Sequence, residues 1–532
     1  MRIRSWVGAR RCPVLNALSP LHKLRGLSVP ASTLVLANQT ATFGTLTIAG
    51  AGAFKPVDAA GNTVALTSYN SLVSGSLGVY TPSILSGGLR FTGAAGAPNA
   101  AVLRCGYAGG TVDITISTVA NTYSVKDNTE RAAAETAITS AGGKTIRMRR
   151  GDFSPSGAYW SQFVDYTAQV IYEGEGAATS GKGTRAEQMY SKACSNILYR
   201  NIEFYTTTTA SPAGQINATA NMVYEDCYFH GIVHDPFANW TTGHQLSQAG
   251  LEYSAIAGFT VRRCLFEYLR NGITFNSKGA CLIEDNEFRY QLEDCIQTSF
   301  DPIDKTSAKT FRRNVGYGTL LDDAAHSDFL QVGAGTALDT DEYANITIEQ
   351  NVCFNSTLIS AGVMQGFVSF LDSSAFGLRF LNPVVRGNIV QDLHLHSISF
   401  YNINGGTFTN NTICHMETVS QPSNVMQINL GLGHSAGTIT VSNNVVEGLN
   451  LIGGATYVQS NNVILGAAGA TISFSTAFDD PTPSAPKTGY TDMKAKRTAK
   501  VGGPAATALA GALGVGFGTY GTPRTPGEWS IP

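Results

Sequence analysis

A short segment recurs along the chain from about residue 195 to residue 465. Each copy has a strand-like run, then a polar turn rich in asparagine and aspartate, then an apolar or aromatic residue. The aligned turn positions are Asn201, Asp226, Asp285, Asn351, Asn388, Asn411, Asn444 and Asn462. Neighbouring copies lie about 18 to 37 residues apart when one skipped copy is allowed. A chain that repeats one turn at this interval stacks similar units instead of building one unique globular core.

Asparagine and aspartate suit such turns because they tolerate the left-handed backbone that a sharp corner requires. Their side chains can also hydrogen-bond up and down a stack. Coils that repeat every ~20–30 residues and stack at the strand spacing of about 4.8 Å describe a right-handed parallel β-helix. About 13 coils between 144 and 475 would give a rod roughly 60 Å long. The repeats lack leucine periodicity and are rich in Gly, Asn and Thr, which excludes a leucine-rich or helical solenoid.

The predicted fold class is therefore all-β, with four parts along the chain. These are a basic N-terminal arm (1–28), a small β-sandwich-like domain (29–122), the β-helix (123–475) and a linker with an irregular C-terminal tail (476–532). Turn signals every 8–12 residues predict the sandwich-like domain. A capping helix is predicted over 128–140, started by Asp127 or Asn128 and stopped by the Gly142–Gly143 pair.

Composition excludes several classes of protein. Charged residues are 14% of the chain and the formal net charge is −2, which excludes a coiled coil, a charged disordered chain and a nucleic-acid binder with a strongly basic face. No apolar run approaches the ~20 residues of a membrane span. No apolar segment of roughly 7–15 residues follows the basic start, so a secretory signal is not expected. The nine cysteines, without a CxxC pair, are interpreted as buried reduced thiols.

The helix at 128–140, the strand Lys144–Asp152 and the NNxI and NNxV repeats resemble the pectate-lyase-like right-handed parallel β-helix superfamily. The resemblance covers residues 125–475, about two thirds of the chain. That superfamily includes polysaccharide lyases, glycoside hydrolases and phage tailspikes that bind or cut surface polysaccharide. The resemblance implies a protein directed at carbohydrate, and it implies a homotrimer. It does not select one activity, because one fold hosts many.

A second ladder runs through the middle coils. Its copies are Asn271–Thr274, Asp294–Gln297, Asp328–Gln331, Gln365–Val368, His396–Ser399 and Asn424–Gln427. The third position is always apolar and is predicted to point inward, so the second and fourth point outward. Strict alternation would also turn the first position inward, unless that position lies at a bend. The ladder therefore leaves open whether the side chains of Asp294 and Asp328 point inward or outward.

The candidate catalytic residues are five side chains in two neighbouring coils: Asp294, Asp322, Asp323, His326 and Asp328. Glycosidic cleavage needs a proton donor and a base or nucleophile, with carboxyls about 5 Å apart for retention and about 6.5–9.5 Å for inversion. Crowded acids raise some pKa values, which supplies a proton donor near neutrality. Two other interpretations stay open: ordinary turn residues, and a calcium ion on the aspartate oxygens. Otherwise no metal or cofactor is predicted.

Candidate substrate-binding residues surround this cluster: Glu293, Gln297, Gln331, Arg313 and Trp240. A lyase would instead need a basic residue and a group that neutralises a uronate carboxylate. Basic residues in the right coils are Lys278, Lys305, Lys309, Arg289, Arg312 and Arg313. β-Helix hydrolases similar to polygalacturonases use three aspartates and a histidine, but this sequence lacks their NTD, GHG and RIK strings, so no residue role is carried over.

The leading functional prediction is a phage tailspike or tail-fibre-like receptor-binding protein in the virion. It would bind, and in one version depolymerise, a bacterial surface polysaccharide, and its basic arm would dock on other tail proteins. Two alternatives remain: a secreted polysaccharide lyase or glycoside hydrolase, and a structural or adhesive β-helix without turnover. Neither nucleic acid nor a membrane span is predicted as a partner.

Overall fold

The computed structural model describes strands between residues 35 and 125 and most of residues 127–464. Within the second range it leaves out 139, 155–160, 163, 176–182, 208–212, 218–219, 232–248, 290, 301–303, 318–327, 335–341, 355–364, 370–378, 393–395 and 416–426. The predicted arm (1–28) and the predicted tail (476–532) lie outside the described residues.

An α-helix, Asn128–Ala137, precedes the coils. Asp127 is its N-cap, and the Asp127 side chain accepts the backbone N–H of Glu130 at 2.9 Å. The helix ends before the predicted residue 140 because Ile138 already has an extended backbone. Its Glu135 accepts a 2.7 Å hydrogen bond from the Tyr172 hydroxyl, which ties the helix to the coils.

The chain then winds as a parallel β-helix, as predicted, with strands in three parallel sheets. Sheet a contains Thr122–Val125, Thr145–Met148, Asp165–Gly174, Ser195–Arg200, Ala220–Glu225, Cys281–Glu284, Lys309–Arg312, Ile346–Glu349, Val384–Arg386 and Thr456–Ser460. Sheet b has twelve strands: Gly151–Asp152, Thr184–Glu187, Glu203–Tyr205, Tyr228–His230, Leu265–Glu267, Glu287–Arg289, Val315–Tyr317, Val352–Phe354, Ile389–Asp392, Thr412–His415, Val445–Val446 and Val463–Ile464.

Sheet c follows sheet b in each coil. It contains Ser161–Gln162, Met189–Lys192, Gly214–Asn217, Ile273–Ser277, Ile296–Phe300, Asp328–Ala334, Gln365–Ser369 and Gly448–Leu451. Three long strands begin in sheet c and end in sheet a: Leu251–Arg262, Ile398–Thr409 and Gln427–Ser442. Two short strands, Glu342–Tyr343 and Arg379–Leu381, pair beside them.

The inward side chains of successive coils stack on one another. In sheet b, Phe204, Phe229, Phe266 and Phe288 occupy one register position. Their ring centroids lie 4.8–5.1 Å apart along the stack, and all four side chains are buried. Each aromatic contact contributes about 0.5–1.5 kcal/mol beyond the burial of apolar area. The core is therefore continuous along the coils.

A ladder of seven asparagines marks the corner between sheets a and b: Asn286, Asn314, Asn351, Asn388, Asn411, Asn444 and Asn462. From Asn314 onward, each Oδ1 accepts the backbone N–H and the Nδ2 of the preceding asparagine at 2.9–3.1 Å. The prediction that corner amides bond along the stack is confirmed.

The alignment of these corners needs a correction of one residue. Asn201, Asp226 and Asp285 do have the predicted left-handed backbone, with φ of 55°, 54° and 58°. The later aligned residues instead occupy the next position, that of the amide ladder. Adjacent polar doublets let the pattern slip by one residue. In later coils the left-handed position holds other residue types, such as Arg313 and Gln350.

Charges alternate strictly along the outer end of sheet a. The column reads Arg147, Glu173, Arg200, Glu225, Arg262, Glu284, Arg312, Glu349 and Arg386 in successive coils. Ion pairs link its members, including Arg147 to Glu173 at 2.9 Å and Arg386 to Glu349 at 2.7 Å. Each exposed pair adds at most about 1 kcal/mol, but like charges in register would repel, so the column favours this register.

The strands before the helix form two further groups. Thr42–Ile48, Gly110–Thr118, Ala100–Tyr107 and Leu66–Gly75 form a four-stranded sheet, and Val35–Leu36 pairs with Val57–Asp58. Thr81–Leu85, Gly88–Ala95 and Ala53–Phe54 form an antiparallel group that joins sheet a through Thr122–Val125. No helix in the described part of the chain is long and apolar enough to cross a membrane.

The cysteines behave as the sequence predicts. All seven whose side chains are described are buried, and burial raises the pKa of Cys194 and of Cys281 to about 12, so these thiols stay protonated. Cys12 and the side chain of Cys414 lie outside the described residues.

Candidate functional site

The second ladder of the sequence lies in sheet c. Its third positions, Ile273, Ile296, Leu330, Phe367 and Ile398, are register partners and are buried. This confirms the prediction that they point inward. The prediction that the second positions point outward is wrong, since Cys295, Phe329 and Ser397 are buried as well. The last copy is shifted, because Ile428 and not Met426 pairs with Ile398. Both residues are apolar and two apart, so alternation alone does not separate them.

Asp294 and Asp328, the first positions of two adjacent copies, stack directly on each other at the corner before sheet c. The Asp328 backbone N–H donates to Asp294 Oδ1 at 2.7 Å. Only 2% of Asp294 and 0% of Asp328 is exposed. Neither carboxylate oxygen of Asp328 has a partner in hydrogen-bond geometry among the described residues. The corner therefore holds these two side chains out of solvent instead of projecting them into a groove.

Burial makes both aspartates weaker acids, because it raises their pKa values. Burial raises the pKa of Asp294 to about 8, opposed by the Asp328 backbone N–H and reinforced by the charge of Glu293. Burial and the neighbouring Asp294 raise the pKa of Asp328 well above its usual range, and the Gln331 side chain partly offsets this. A carboxyl that is still protonated at neutral pH can donate a proton, as the sequence argument requires.

Beside the aspartates, sheet c presents a row of neutral polar groups. Thr274, Gln297 and Gln331 are register partners in three successive coils, and each is half-buried. Gln297 Nε2 donates to Gln331 Oε1 at 2.7 Å. Asn271 precedes this row, and its amide either donates to Gln297 Oε1 at 3.3 Å or, turned over, to Glu293 Oε2 at 3.3 Å. The two predicted glutamines therefore form one connected surface.

Two other predicted substrate-binding residues already have ionic partners. Glu293 pairs with Arg270 at 2.5 Å. Arg313 lies at the corner between sheets a and b, where it pairs with Asp285 at 2.8 Å and Glu284 at 2.6 Å. It therefore belongs to a different corner from Asp294, and the structure does not bring the two together.

The remaining predicted site residues, Asp322, Asp323, His326 and Trp240, lie outside the described residues. Their predicted roles stay predictions. No group of three metal-ligating side chains occurs where the structure is described.

Most of the basic residues considered for a lyase are paired with acidic side chains of the chain itself. Lys309 is buried against Asp304 at 3.1 Å, and Arg312 pairs with Glu284 at 2.8 Å in the charge column of sheet a. Arg289 is buried and donates from Nε to Glu287 at 2.6 Å.

A polar network that the sequence argument missed covers the outer face of sheet b. The Tyr228 hydroxyl donates to Glu267 at 2.8 Å, and His230 lies 3.2 Å from Glu203. The ring of His230 stacks on Tyr228 with centroids 4.6 Å apart. Burial raises the pKa of Glu267, opposed by Arg289. The residues come from neighbouring coils, so only the strand register brings them together.

One end of this network consists of the partly exposed pair Asp152 and Arg185 and the buried Tyr205. Arg185 pairs with Asp152 at 3.1 Å and lies over the Tyr205 ring at 4.6 Å. The Tyr205 hydroxyl donates to Asp152 at 2.8 Å. Hydrogen bonds from Ser154, Tyr205 and Arg185 outweigh burial and lower the pKa of Asp152, so this carboxylate is ionised at neutral pH.

No protein-family model matches the sequence, and no curated protein matches it. Solved structures do match. The chain is similar to a surface adhesin, PfbA, of Streptococcus pneumoniae, with 10% identity, 63% of this chain and 87% of the other covered, and a TM-score of 0.36. It is similar to the A-module of the mannuronan C-5 epimerase AlgE6 of Azotobacter vinelandii, with 14% identity, 65% and 96% coverage, and a TM-score of 0.36.

A third match is the tailspike protein of E. coli bacteriophage HK620 in complex with a pentasaccharide, with 13% identity, 65% of this chain and 73% of the other covered, and a TM-score of 0.33. At these identities and TM-scores the matches carry no conclusion about activity. The assignment of this chain as a parallel β-helix rests on its own strand register, coil after coil, from Thr122 to Ile464.

Proposed function

We propose that this chain binds a bacterial surface polysaccharide along the outer face of sheet c, as the receptor-binding tailspike of a phage. The observation that carries the proposal is the connected row of Thr274, Gln297 and Gln331. Sugar hydroxyls both donate and accept hydrogen bonds, and amide and hydroxyl side chains do the same. A row fixed at the strand spacing of about 4.8 Å meets an extended polymer at several successive points.

The rigidity of the row favours binding. The hydrogen bond between Gln297 and Gln331 fixes how both amides are oriented before a ligand arrives. Side chains on strands of a continuous parallel sheet lose little further conformational freedom on binding. The entropy cost therefore offsets less of the favourable contact energy. A loop surface of the same composition would lack this advantage.

Depolymerisation is the second candidate function. The observation that favours it is the Asp294 carboxyl, whose pKa of about 8 leaves it protonated at neutral pH. Asp328 stacks on Asp294, and neither of its oxygens has a partner in hydrogen-bond geometry among the described residues, although the nearby Gln331 side chain favours its charged form. In this hypothesis Asp294 protonates the leaving glycosidic oxygen as the bond to the anomeric carbon breaks, and an acid at 322 or 323, with His326, acts as the nucleophile or activates the water that attacks that carbon. The burial of both stacked aspartates ranks binding ahead of cleavage.

The virion role extends the same proposal. The basic arm (1–28) would dock on other tail proteins, the chain would assemble as a homotrimer, and the low charge would suit a surface exposed outside the cell. A secreted lyase or hydrolase would use the same face without a tail partner. A non-catalytic adhesin would use it without cleavage.

The test incubates the full chain with capsular or exopolysaccharide of a candidate host. Binding, the release of reducing ends and the absorbance of unsaturated uronate are measured together. Binding that is lost in Gln297→Ala/Gln331→Ala supports the proposal. Reducing ends without uronate absorbance indicate hydrolysis, and both together indicate a lyase.

Two controls sharpen this experiment. Gln459→Ala removes an exposed glutamine from sheet a and is expected to leave binding unchanged. Asp294→Asn keeps an oxygen for the Asp328 N–H, so it separates the loss of a proton donor from the loss of the fold. Full cleavage by Asp294→Asn would exclude Asp294 as the acid. Full binding by the double glutamine variant would refute the role of sheet c.

A further inference from the structure

We infer that the glycan bound on sheet c is neutral and rich in hydroxyls, and is not a polyuronate. The inference rests on the proposed function and narrows its substrate class. The inference follows from two observations: which side chains sheet c presents to a ligand, and which arginines are already paired with carboxylates of the chain.

From Tyr190 to Gln331 the outward column of sheet c carries neutral hydrogen-bonding groups and one acid, and Val368 follows Gln331 in register. Tyr190, Glu252, Thr274, Gln297 and Gln331 occupy this column, with Gln215 between the first two. The side chains of these five are half-buried. A polyuronate laid along the column would bring carboxylates close to Glu252, and like charges repel.

The glutamines keep capacity for a ligand after bonding each other. Each amide has two N–H donors and an oxygen with two lone pairs. The bond between Gln297 and Gln331 uses one donor of the first and one lone pair of the second. Sugar hydroxyls fit the remaining sites, since a hydroxyl both gives and takes a hydrogen bond. A carboxylate only accepts, and so uses half of what the amides offer.

The arginines that would recognise uronate carboxylates are already neutralised. Arginine is the side chain best suited to bidentate binding of a carboxylate. Every strand arginine whose side chain is described in the three sheets has a carboxylate within 3.2 Å: Arg147, Arg185, Arg200, Arg262, Arg289, Arg312 and Arg386. A polyuronate would have to break these pairs before gaining its own.

The acidic neighbour Glu293 strengthens the argument. It lies one residue before Asp294, beside the row, and it pairs with Arg270. Arg270, which comes directly before Asn271 in the chain, is thus also compensated. The described residues around Gln297 therefore offer amides, hydroxyls and balanced ion pairs to a ligand.

The test applies the full chain to an array of bacterial polysaccharides of defined structure, divided into neutral and uronate-containing members, at 20 mM and 500 mM NaCl. Binding to neutral members that changes less than twofold with salt, and falls at least tenfold in Gln297→Ala/Gln331→Ala, is the expected result. Gln459→Ala is the matched control. Glu252→Gln is expected to improve binding to uronate-containing members more than binding to neutral ones.

Each contrary result would contradict a different statement. Preferential binding of uronate-containing members that weakens steeply with salt would overturn the inference of a neutral glycan, while the proposed binding function would stand. Neutral binding that survives the double glutamine substitution would move the site away from sheet c. Absence of binding to every member of the array would overturn the proposed function, and the inference with it.

Discussion

The asparagine ladder gives the sharpest test of the architecture, and Asn351 is its most informative member. Its side chain makes four hydrogen bonds and is fully buried. Oδ1 accepts the backbone N–H and the Nδ2 of Asn314, both at 3.0 Å. Nδ2 donates to the Phe311 carbonyl and to Asn388 Oδ1, also at 3.0 Å.

Asn351→Ala leaves three of these partner atoms without their bond. Both Asn314 donors lose their acceptor and the Phe311 oxygen loses a donor, whereas Asn388 Oδ1 keeps the backbone N–H of residue 351 at 2.9 Å. Each buried group left unsatisfied costs about 1–3 kcal/mol. Since neighbouring losses are not additive, we expect the free energy of unfolding to fall by about 3–5 kcal/mol.

Equilibrium urea unfolding, followed by far-ultraviolet circular dichroism, measures this change as a lower midpoint with an unchanged slope. Asn351→Asp keeps Oδ1 but turns a carboxylate oxygen toward two acceptors, Phe311 O and Asn388 Oδ1, in a buried site, so at neutral pH it should be at least as unstable as the alanine variant. Gln459→Ala, on an exposed face, should change stability by less than about 0.5 kcal/mol. A loss below about 1 kcal/mol for Asn351→Ala would refute the view that the ladder holds the corner together.

Three further outcomes are expected. Because the pKa of Asp294 is raised to about 8 in the fold, its stabilising contribution is complete below about pH 4 and is lost as pH rises through 8, by at most about 1.4 kcal/mol per pH unit. Urea midpoints of Asp294→Asn should depend less steeply on pH, since only Asp328 then keeps a raised pKa at this corner, and an unchanged profile would contradict the assignment. Gly366→Ala would place a Cβ 2.0 Å from a backbone oxygen of the next coil and should lower the melting temperature, whereas Gly454→Ala, with its nearest such neighbour at 3.4 Å, should not. Arg289→Met removes the cation that bonds the buried Glu287 carboxylate and should cost about 3–5 kcal/mol, part of which Glu287→Gln should restore; equal stability of the single and double variants would show that the pair is not coupled.

The sequence predicted the architecture well because the corner constrains both backbone and side chain. From Asp285–Asn286 to Asn461–Asn462 a left-handed residue is followed by a stacking amide, and most of these adjacent pairs are visible without coordinates. In earlier coils Ile202, Cys227 and Cys264 follow the left-handed residue instead. The one-residue ambiguity between the two columns has the same origin, since Asn443 and Asn444 each suit either position. Only backbone angles separate them: φ is 56° at Asn443, while Asn444 bonds within the ladder.

The contacts between coils could not be predicted in the same way. The charge column of sheet a is present in the sequence, as in Arg200, Glu225 and Arg262, but the intervals between its members vary with loop length. Two charges 25 residues apart, like Arg200 and Glu225, become neighbours only when the strand register is known. The network of Tyr228, His230 and Glu267 was missed for the same reason.

Alternation left the direction of Asp294 and Asp328 open, and burial resolves it in favour of the inward direction. Asp328 begins the strand Asp328–Ala334 and shares its inward parity with Leu330 and Val332. The inward position of Asp294 also serves the backbone, because its oxygen accepts the Asp328 N–H of the next coil. This hydrogen bond explains why an aspartate stands at position 294, whether or not that residue takes part in a reaction.

The three outer faces therefore differ in what they can offer a ligand. On sheet a the arginines and glutamates form ion pairs with one another. On sheet b the carboxyls and hydroxyls are largely buried and hydrogen-bond to one another. A ligand that binds either face must first displace internal partners, and that desolvation and rearrangement offsets much of the gain. Sheet c differs because Gln297 and Gln331 are oriented by their mutual bond yet keep unused donors and acceptors. Specificity on such a face comes from the spacing of hydroxyls along the polymer, so a polysaccharide of the same composition but different linkage should bind poorly.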